Sequence, residues 1–247
     1  MVEFRFKRVD ISDEERMMKL FHLRYQVYVN ECGFEDEKDH QDGQEQDDYD
    51  KHSSHFCAIS FDPERPDPPR IIGTVRIIHG FSQGLPNNKL PIETHCPFWE
   101  GEARRLETLR REGIPFAEIS RLAISKDFRK REIDKAIYSQ TDFDFQEVRR
   151  VNEQRRQFEG MIVLGLYQCI YQESLRLGLK HWYGVMVKGL SGLLRRWGVF
   201  WEAIGEPVEY HGLRIPYIAD IEKNAEGWVK LNPLLLEKPV GWKSIDS

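Results

Sequence analysis

The stretch Phe116-Ala-Glu-Ile-Ser-Arg-Leu-Ala-Ile124 has the apolar composition of a buried β-strand but carries two charged side chains near its middle. These are Glu118 and Arg121, and residues three apart on a regular strand point to opposite faces of the sheet. If both serve one site, the strand must bulge or splay between them, which would make backbone N–H and C=O groups available to a ligand. We therefore predict a strand over Phe116–Ser125 that is irregular at its centre.

The segments before this strand show both strand and helix patterns. Alternating apolar and charged residues predict a strand over Glu3–Val9, and apolar residues at helical spacing predict a helix over about Asp13–Glu31. Turn-forming residues separate two apolar runs, which predicts strands at Ser54–Phe61 and Ile71–His79. Pro and Gly interrupt residues 80–113, and we expect this segment to be irregular.

The segments after the strand complete a mixed α/β order. A long helix is predicted over Asn152–Leu177, a strand over His181–Val187 and a short helix over Ser191–Trp197. Phe200–Asp220 contains two further short strands around a turn at Glu209–Leu213. This order predicts an α/β (α+β) fold with a central mixed, twisted sheet flanked by helices.

The sequence indicates a single domain. No interior stretch of Gly, Ser or Pro resembles a linker, so we expect a single domain over residues 1–247, with 222–247 as a C-terminal tail. A hydrophobic fraction of 40% is enough for a core.

Composition and motifs narrow the function classes. The net charge of −5 gives no general attraction to nucleic acid, and no apolar run is long enough for an integral membrane segment. The four cysteines are scattered without Cys-x-x-Cys, which favours reduced thiols over disulfides or a metal site. Nucleophile-elbow and phosphate-loop motifs are absent, which argues against hydrolases and kinases. We expect a cytoplasmic protein that binds no metal and no nucleic acid.

Two arginines occupy positions that should face the core. Arg24 follows Leu20 by four residues on the apolar stripe of the first helix, and Arg76 shares a strand face with Ile78. A buried guanidinium needs a carboxylate partner, because removing an unpaired charge from water costs several kcal/mol. We expect Arg24 to be at least half-buried and paired with a carboxylate of residues 45–50 or with Glu118; the alternative is that its head reaches solvent along its stem.

The segment 35–50 is densely acidic. Such a run is ordinarily a solvated loop, and this is the expectation for its first half. The second half combines Glu45, Asp47 and Asp50 with the aromatic Tyr49 next to a strand, so its carboxylates can turn inward toward the arginines. Calcium binding is the weaker alternative, because the spacing of Asp and Gly does not match a calcium-binding loop.

These charged positions, in this order, resemble the acyl-homoserine lactone (autoinducer) synthase family and the related N-acyl amino acid synthases. The resemblance covers about residues 20–125, and two C-terminal stretches look more like the amino acid synthases and their exosortase-associated relatives. The matching stretches are Leu23-Arg24 with Tyr28, Cys32-Gly33-Phe34, Glu45-x-Asp47-x-Tyr49-Asp50, Gly73-Thr74-Val75-Arg76 and Glu118-Ile119-Ser120-Arg121, then Leu193–Gly198 and Glu209–Gly212.

The resemblance implies a GNAT-like acyl-CoA N-acyltransferase fold and an enzyme that moves a fatty acyl group from an acyl carrier protein thioester to the amine of an amino acid or similar small molecule. It implies no tightly bound cofactor, with the acyl thioester of carrier protein or coenzyme A as co-substrate. The catalytic residues implied are Glu118, Arg121 and Arg76, and the substrate-binding residues are Arg24, Tyr28, Phe34, Asp47, Asp50 and Ser120.

Two departures from the lactone synthases argue against an S-adenosylmethionine pocket. Phe34 and Tyr28 stand where those enzymes most often have Trp and Phe, and segment 126–157 is longer than their usual connection. The same segment lacks the Gly-rich pyrophosphate loop of ordinary acetyltransferases. It offers instead a basic region that suits an acidic acyl carrier protein: Arg129, Lys130, Arg131, Arg149, Arg150, Arg155 and Arg156.

Other functions remain open at this point. One is a lactone synthase that uses S-adenosylmethionine, and another is a non-catalytic module that binds an acylated ligand or carrier. The basic stretch 129–156 is also compatible with nucleic acid binding, although acidic residues interrupt it. Alternatively, the arginines of this stretch lie on a solvated helix face and pair with local carboxylates such as Glu147 and Glu153.

Charge reversal at the basic region tests carrier binding. The double substitution Arg149→Glu with Arg150→Glu should raise the KM for an acyl carrier thioester more than it lowers kcat, because rim charges act mainly on association. Steady-state kinetics at several salt concentrations measure this, with a short acyl-coenzyme A as the control that should change far less. Equal changes in KM with both donors, or kinetics that do not depend on salt with either donor, would indicate that these arginines lie on a solvated helix face.

Overall fold

The computed structural model describes residues 2–64, 68–128, 145–210 and 212–242, and for residues 145–156 it describes the backbone only. The strands in these ranges are β1 (Glu3–Val9), β2 (Ser53–Phe61), β3 (Arg70–His79), β4 (Phe116–Ile124), β5 (His181–Met186), β6 (Glu202–Ala203), β7 (Val208–Glu209) and β8 (Leu213–Asp220). They lie in the order β1-β2-β3-β4-β5-β8-β6, with β7 paired to β8. Only β4 and β5 are parallel neighbours among these strands, so the predicted mixed sheet is confirmed.

The helices flank this sheet. They are α1 (Glu14–Tyr25), α2 (Pro91–His95), α3 (Glu100–Arg111), α4 (Phe145–Leu177), α5 (Lys188–Arg196) and α6 (Ile221–Leu231). The predicted helix over Asp13–Glu31 is present, but its last part, Gln26–Glu31, is a π-helical turn. Helix α6 begins one residue before the expected C-terminal tail and forms its first part, and its Trp228 is fully buried.

The expectation that residues 80–113 are irregular is wrong, because they contain α2 and α3. The Pro and Gly residues mark the ends of these helices: Pro91 occupies the first turn of α2, and Gly113, at φ 67°, follows α3. Helix α3 has a narrow apolar face, with only Leu106 and Leu109 buried. Ion pairs on its exposed face, such as Glu100 with Arg104, also stabilise this helix.

Each face of the sheet packs against a different set of helices. On one face, α4 places Ile162 and Leu166 against β3, and they join Phe56 and Val75 in one hydrophobic cluster. Apolar residues four apart on α4 form the stripe that this contact requires. On the other face, α1 contributes Leu20 and Phe21 to a cluster with Val9 and Cys57. Strand residues of β2 therefore alternate between the two layers.

A group of large aromatic side chains fills the α4 side of the core. Trp182 of β5 is fully buried, with its ring centroid 6.3 Å from that of Trp201 and 6.2 Å from that of Trp228. The ring of Tyr167, on α4, lies 6.4 Å from Trp182. Full burial of such side chains contributes about 2–3 kcal/mol each.

None of the helices in the described parts of the chain is long and apolar enough to cross a membrane.

The close approach of α4 to β1 depends on Gly165. A Cβ at this position would lie 2.1 Å from the ring of Phe6, which is buried between the helix and the sheet. We predict that Gly165→Ala lowers the free energy of unfolding by about 1–3 kcal/mol, because overpacking outweighs the gain in helix propensity. Urea unfolding of the purified protein measures this.

The matched control is Gly160→Ala on the same helix, where a Cβ would lie 3.4 Å from Trp197. That substitution should leave stability unchanged or raise it by up to about 1 kcal/mol. Equal effects at both positions would mean that Phe6 does not limit the spacing.

Candidate active site

Arg24 and Arg76 are buried side by side, each with an exposed fraction of 1%. Asp50 joins them, because its Oδ1 accepts hydrogen bonds from Nη1 of Arg24 and from Nη1 of Arg76, both at 2.7 Å. Glu45 accepts from Nε of Arg24 at 2.5 Å, and Asp47 accepts from both Nη atoms of Arg76 at 2.6 and 2.7 Å. The prediction for Arg24 is confirmed, and the alternative of a solvated head is wrong.

The acidic segment supplies these carboxylates because its second half folds against α1. The N–H of Glu45 donates to the carbonyl oxygen of Phe21 at 3.1 Å. Two side chains then stabilise the turn that follows. The Asp50 carboxylate accepts a hydrogen bond from the N–H of Asp47 at 2.8 Å, and the Asp47 carboxylate accepts one from the N–H of Tyr49 at 2.9 Å. Short polar side chains commonly stabilise turns in this way. The inward orientation predicted for this half is confirmed.

Strand β4 is irregular where the sequence predicts it. Arg76 is opposite Ser120 while Thr74 is opposite Ala123, so β4 advances three residues against two on β3. Arg121 lies in this bulge with φ 53°, a left-handed conformation that costs a non-glycine residue about 1 kcal/mol or more. The bulge turns its side chain into the acidic network, where Nε donates to Glu45 at 2.9 Å.

Glu118 lies on the same strand and is 4% exposed. Its Oε2 accepts a hydrogen bond from the N–H of Ile92 at 2.9 Å. Burial raises the pKa of the Glu118 carboxyl to about 7, although this hydrogen bond and the charges of Arg76 and Arg121 act in the opposite direction. Glu118 is therefore a carboxyl group that gains and loses its proton near neutral pH, the property expected of a general base.

The π-helical turn at the end of α1 carries Tyr28 to the bulge. The Tyr28 hydroxyl donates to the carbonyl oxygen of Leu122 at 3.1 Å, and the Arg121 guanidinium lies 5.5 Å from the Tyr28 ring centroid. Phe34 follows, with its ring centroid 6.2 Å from that of Tyr28. Single π-turns inside helices occur frequently at functional sites. Here the turn fixes an aromatic ring over the irregular part of β4.

A cavity opens where β4 and β5 diverge. Their parallel ladder pairs Phe116–Glu118 with His181–Tyr183, and beyond it the strands enclose about 130 Å³. Residues of both strands and of several other elements line this space: Tyr28, Pro91, Glu118, Ile119, Ser120, Arg121, Leu122, Tyr167, Gly184, Val185, Met186, Leu190, Tyr210 and Arg214. The cavity thus combines an apolar interior with a few polar groups, as small-molecule sites commonly do.

The predicted site residues fall into four groups. Glu118, Ser120, Arg121 and Tyr28 line the cavity. A second group, Arg24, Arg76, Asp47 and Asp50, forms an ion-pair network behind them. It is linked to the cavity wall by the hydrogen bond from Nε of Arg76 to Ser120 Oγ at 3.2 Å. Phe34 stands beside Tyr28. Of the residues predicted to bind a carrier, Arg129, Lys130 and Arg131 lie outside the described residues, and Arg149 and Arg150 lie on α4 where only the backbone is described.

Three further residues were missed from the sequence. Glu35, in the half of the acidic segment expected to be solvated, lies 3.4 Å from Arg121 Nη2. Tyr210 and Arg214 line the cavity from the turn before β8 and from β8 itself. The stretch Glu209–Gly212 carries part of the family resemblance, but Tyr210 was expected only to form a turn, and Arg214 lies between the apolar residues Leu213 and Ile215, outside every motif.

The network is ionised at neutral pH. The charges of Arg24 and Arg121 hold the pKa of Glu45 at about 2 despite its burial, and Arg24 with Arg76 lowers the pKa of Asp50 in the same way. Both contribute stability above their unfolded pKa values that is lost as the pH falls through the folded ones. In the described ranges no set of three or more His, Cys, Asp or Glu residues could hold a metal ion.

Glu118 should make the folded protein less stable as the pH rises, opposite to the effect of Glu45 and Asp50. Because its folded pKa, about 7, lies above its unfolded value of 4.5, it favours folding below pH 4.5, and this contribution is lost as the pH rises through 7. We predict that Glu118→Gln removes this loss, so that the stability of the variant relative to wild type increases between pH 5 and 8, by at most about 1.4 kcal/mol per pH unit.

The readout is the difference in stability between the two proteins, from urea unfolding at each pH, because other groups also make stability depend on pH. Burial lowers the pKa of His55, for example, from 6.5 to about 4 in the folded protein. Glu107→Gln, an exposed substitution on α3, is the control. A difference for Glu118→Gln that stays constant from pH 5 to 8 would contradict the raised pKa.

Comparisons with known proteins agree with this architecture. Residues 23–139 match the model of the acetyltransferase (GNAT) domain. A search of curated proteins found no match. Among solved structures, the N-acyl amino acid synthase FeeM from uncultured soil microbes is similar over 92% of this chain and 96% of its own, with 14% identity and a TM-score of 0.52.

Two lactone synthases are similar to the same extent. The acyl-homoserine lactone synthase LasI covers 94% of this chain and 95% of its own, with 15% identity and a TM-score of 0.54. The coenzyme A-dependent synthase BjaI, solved with S-adenosylmethionine and isopentyl-coenzyme A, covers 98% and 94%, with 14% identity and a TM-score of 0.59. The chain therefore has the acetyltransferase (GNAT) fold, in an arrangement similar to that of N-acyl amino acid synthases and acyl-homoserine lactone synthases.

Proposed function

We propose that this protein is an acyltransferase enzyme that moves a fatty acyl group from an acyl carrier protein thioester to the amine of an amino acid or similar small molecule. The observation that carries the proposal is Glu118: a buried carboxyl, with a pKa of about 7, in the wall of a cavity between diverging strands. The match to the acetyltransferase domain supports the same class of chemistry.

In this proposal Glu118 serves as the general base. The amine nitrogen attacks the thioester carbonyl carbon, a C–N bond forms and the C–S bond breaks. The proton that the amine loses passes to the Glu118 carboxylate, directly or through a water molecule, and then to the departing thiolate. A base is most effective when its pKa lies near the working pH, which is the condition that burial creates at Glu118.

The oxyanion of the tetrahedral intermediate needs hydrogen-bond donors. Where β4 leaves β5, beyond Glu118, the backbone of Ile119 to Leu122 borders the cavity. We propose that N–H groups of this segment serve as these donors, because fixed backbone donors need no reorganisation during the reaction. Arg24, Arg76 and Asp50 serve as the scaffold that holds Ser120 and Arg121 at the cavity wall.

The donor is proposed to be an acyl carrier protein rather than coenzyme A. The chain lacks a Gly-rich loop for a pyrophosphate and carries a basic region after β4, whose sequence favours an acidic partner. The four cysteines are free, and three of them are buried. This fits the reducing cytoplasm, where we propose that the protein acts.

A second candidate is acyl-homoserine lactone synthesis from S-adenosylmethionine. It is kept because LasI and BjaI are lactone synthases of similar fold, and the structure of BjaI contains S-adenosylmethionine. The two candidates share the acyl-transfer step and differ in the acceptor.

Incubation with acyl carrier thioesters and acyl-coenzyme A of several lengths, together with the amino acids and S-adenosylmethionine, tests these candidates by mass spectrometry. N-acyl amino acids support the proposal, and lactones support the second candidate. Binding of acylated carrier without any product would mean that the protein is a non-catalytic module.

Removal of the base should abolish most of the activity. We predict that Glu118→Gln lowers kcat about 10²- to 10⁴-fold, the usual contribution of a general base, while Glu107→Gln on the surface of α3 has little effect. In wild type, kcat/KM should fall as the pH drops below about 7, because the carboxylate becomes protonated, and the variant should lose this limb. Unchanged turnover in Glu118→Gln would remove Glu118 from the mechanism.

A further inference from the structure

We propose that Arg110 of α3 is a positioning residue for the general base, because its ion pair with Glu93 holds α2 in the place from which the N–H of Ile92 binds Glu118. This inference rests on the proposed function and extends that site beyond the residues of the cavity wall. Neither Arg110 nor Glu93 lines the cavity, and neither belongs to a sequence motif of the family resemblance.

The N–H of Ile92 is the contact through which α2 acts on the base. It donates to Oε2 of Glu118 at 2.9 Å, and both residues are buried. Burial raises the pKa of Glu118, and this hydrogen bond is the largest influence in the opposite direction, ahead of the charges of Arg76 and Arg121. A hydrogen bond weakens when its donor moves away or rotates, so the protonation of Glu118 depends on the placement of α2.

Helix α2 needs support from its surroundings, because a helix of five residues is not stable alone. An irregular segment with a 3₁₀ turn at Pro86–Asn88 leads into it. Leu90 and Ile92 belong to the same hydrophobic cluster as Leu106 and Leu109 of α3. Apolar packing of this kind holds α2 near α3 but is not directional, so a further contact is needed to fix its orientation.

The pair of Glu93 and Arg110 provides that directional contact. The Glu93 carboxylate accepts hydrogen bonds from Nη1 of Arg110 at 2.6 Å and from Nη2 at 2.5 Å, and also from the N–H of Leu90 at 2.7 Å. Two parallel hydrogen bonds fix orientation as well as distance. The guanidinium carbon of Arg110 lies 5.5 Å from the ring centroid of Phe116, two residues before Glu118 on β4. Arg110 thus connects α2 to the strand that carries the base.

Other titratable groups also face Glu118. Besides Glu93 they are Tyr49 of the acidic segment, Arg76 of β3, Cys96 after α2, Arg121 of β4, Tyr183 of β5 and Tyr210 before β8. Substitutions at Arg110 and Glu93 leave all of these groups in place. Loss of Arg110 then acts on Glu118 in two ways: the hydrogen bond from Ile92 weakens, and the charge of Glu93, which raises the pKa of Glu118, loses its partner.

The titration of Glu118 provides a test that does not depend on turnover. Protein labelled with carbon-13 at the glutamate carboxyl groups is titrated by NMR, and the Glu118 signal is the one missing from Glu118→Gln. The variants are Arg110→Met, Arg110→Lys and the double substitution Arg110→Met with Glu93→Gln. The matched control is Arg104→Met, which breaks the exposed pair with Glu100 on the same helix. Thermal melts and the pH dependence of kcat/KM are measured for each.

We expect Arg110→Met to raise the midpoint of Glu118 by about one pH unit, and to lower kcat/KM about 10-fold at pH values below both midpoints. Arg110→Lys should lie between this variant and wild type, since it keeps the charge and loses the planar fork. The double variant lacks both charges of the pair, and its midpoint should remain above that of wild type because α2 is no longer held. Arg104→Met should match wild type.

Three outcomes overturn the inference. The first is a wild-type midpoint in the double variant, because the charge of Glu93 alone would then explain Arg110→Met. The second is a lower melting temperature of Arg110→Met with an unchanged midpoint, which would indicate a structural role. The third, decisive if Arg110→Met does not fold, is an unchanged midpoint in Arg110→Lys.

The NMR titration also separates the inference from the proposed function. If the midpoints move as expected but wild type transfers no acyl group, the positioning of Glu118 stands and the proposed function fails. If wild type transfers the acyl group and the midpoints do not move, the proposed function stands and the role of Arg110 is overturned.

Discussion

The shared carboxylate of Asp50 is the contact on which the rest of the site depends. One of its oxygens accepts hydrogen bonds from both Arg24 and Arg76, and so joins the first helix to the third strand. Neither arginine could remain charged at such a buried position without a carboxylate partner, because an isolated buried ion loses several kcal/mol of hydration free energy. The inward fold of the acidic segment therefore allows Arg24 of α1 and Arg76 of β3 to be buried between the helix and the sheet.

This network also determines the shape of the fourth strand. Glu45 and Asp47 hold Arg121 in a left-handed conformation that a strand residue ordinarily avoids, and that conformation produces the bulge. The bulge lies beyond the short ladder with β5, where the two strands separate. Ion pairing, backbone irregularity and cavity are thus linked, and backbone strain at functional sites persists when the surroundings hold it in this way.

Much of this architecture was predictable from periodicity and charge. The alternation in β1, the apolar runs of β2 and β3 and the charged residues within β4 indicate the sheet and its bulge. The acidic residues 45–50 indicate the partners of Arg24. Helix α3 was not predictable in the same way, because its stabilising contacts are Glu–Arg pairs on a polar surface and its apolar stripe is narrow. Arg214 was missed for a different reason: only the pairing of β8 with β5 brings this strand, and the turn with Tyr210 before it, to the cavity.

The aromatic group beneath the cavity gives the protein a built-in optical probe. Tyr167 borders the cavity and lies against Trp182, which in turn packs with Trp201 and Trp228 deep in the core. Indoles in such rigid, apolar surroundings emit at short wavelength, and energy passes readily from tyrosine to a neighbouring indole. We therefore expect a ligand that enters the cavity beside Tyr167 to alter the emission of the native protein, so that occupancy of the cavity can be followed by intrinsic fluorescence without a label.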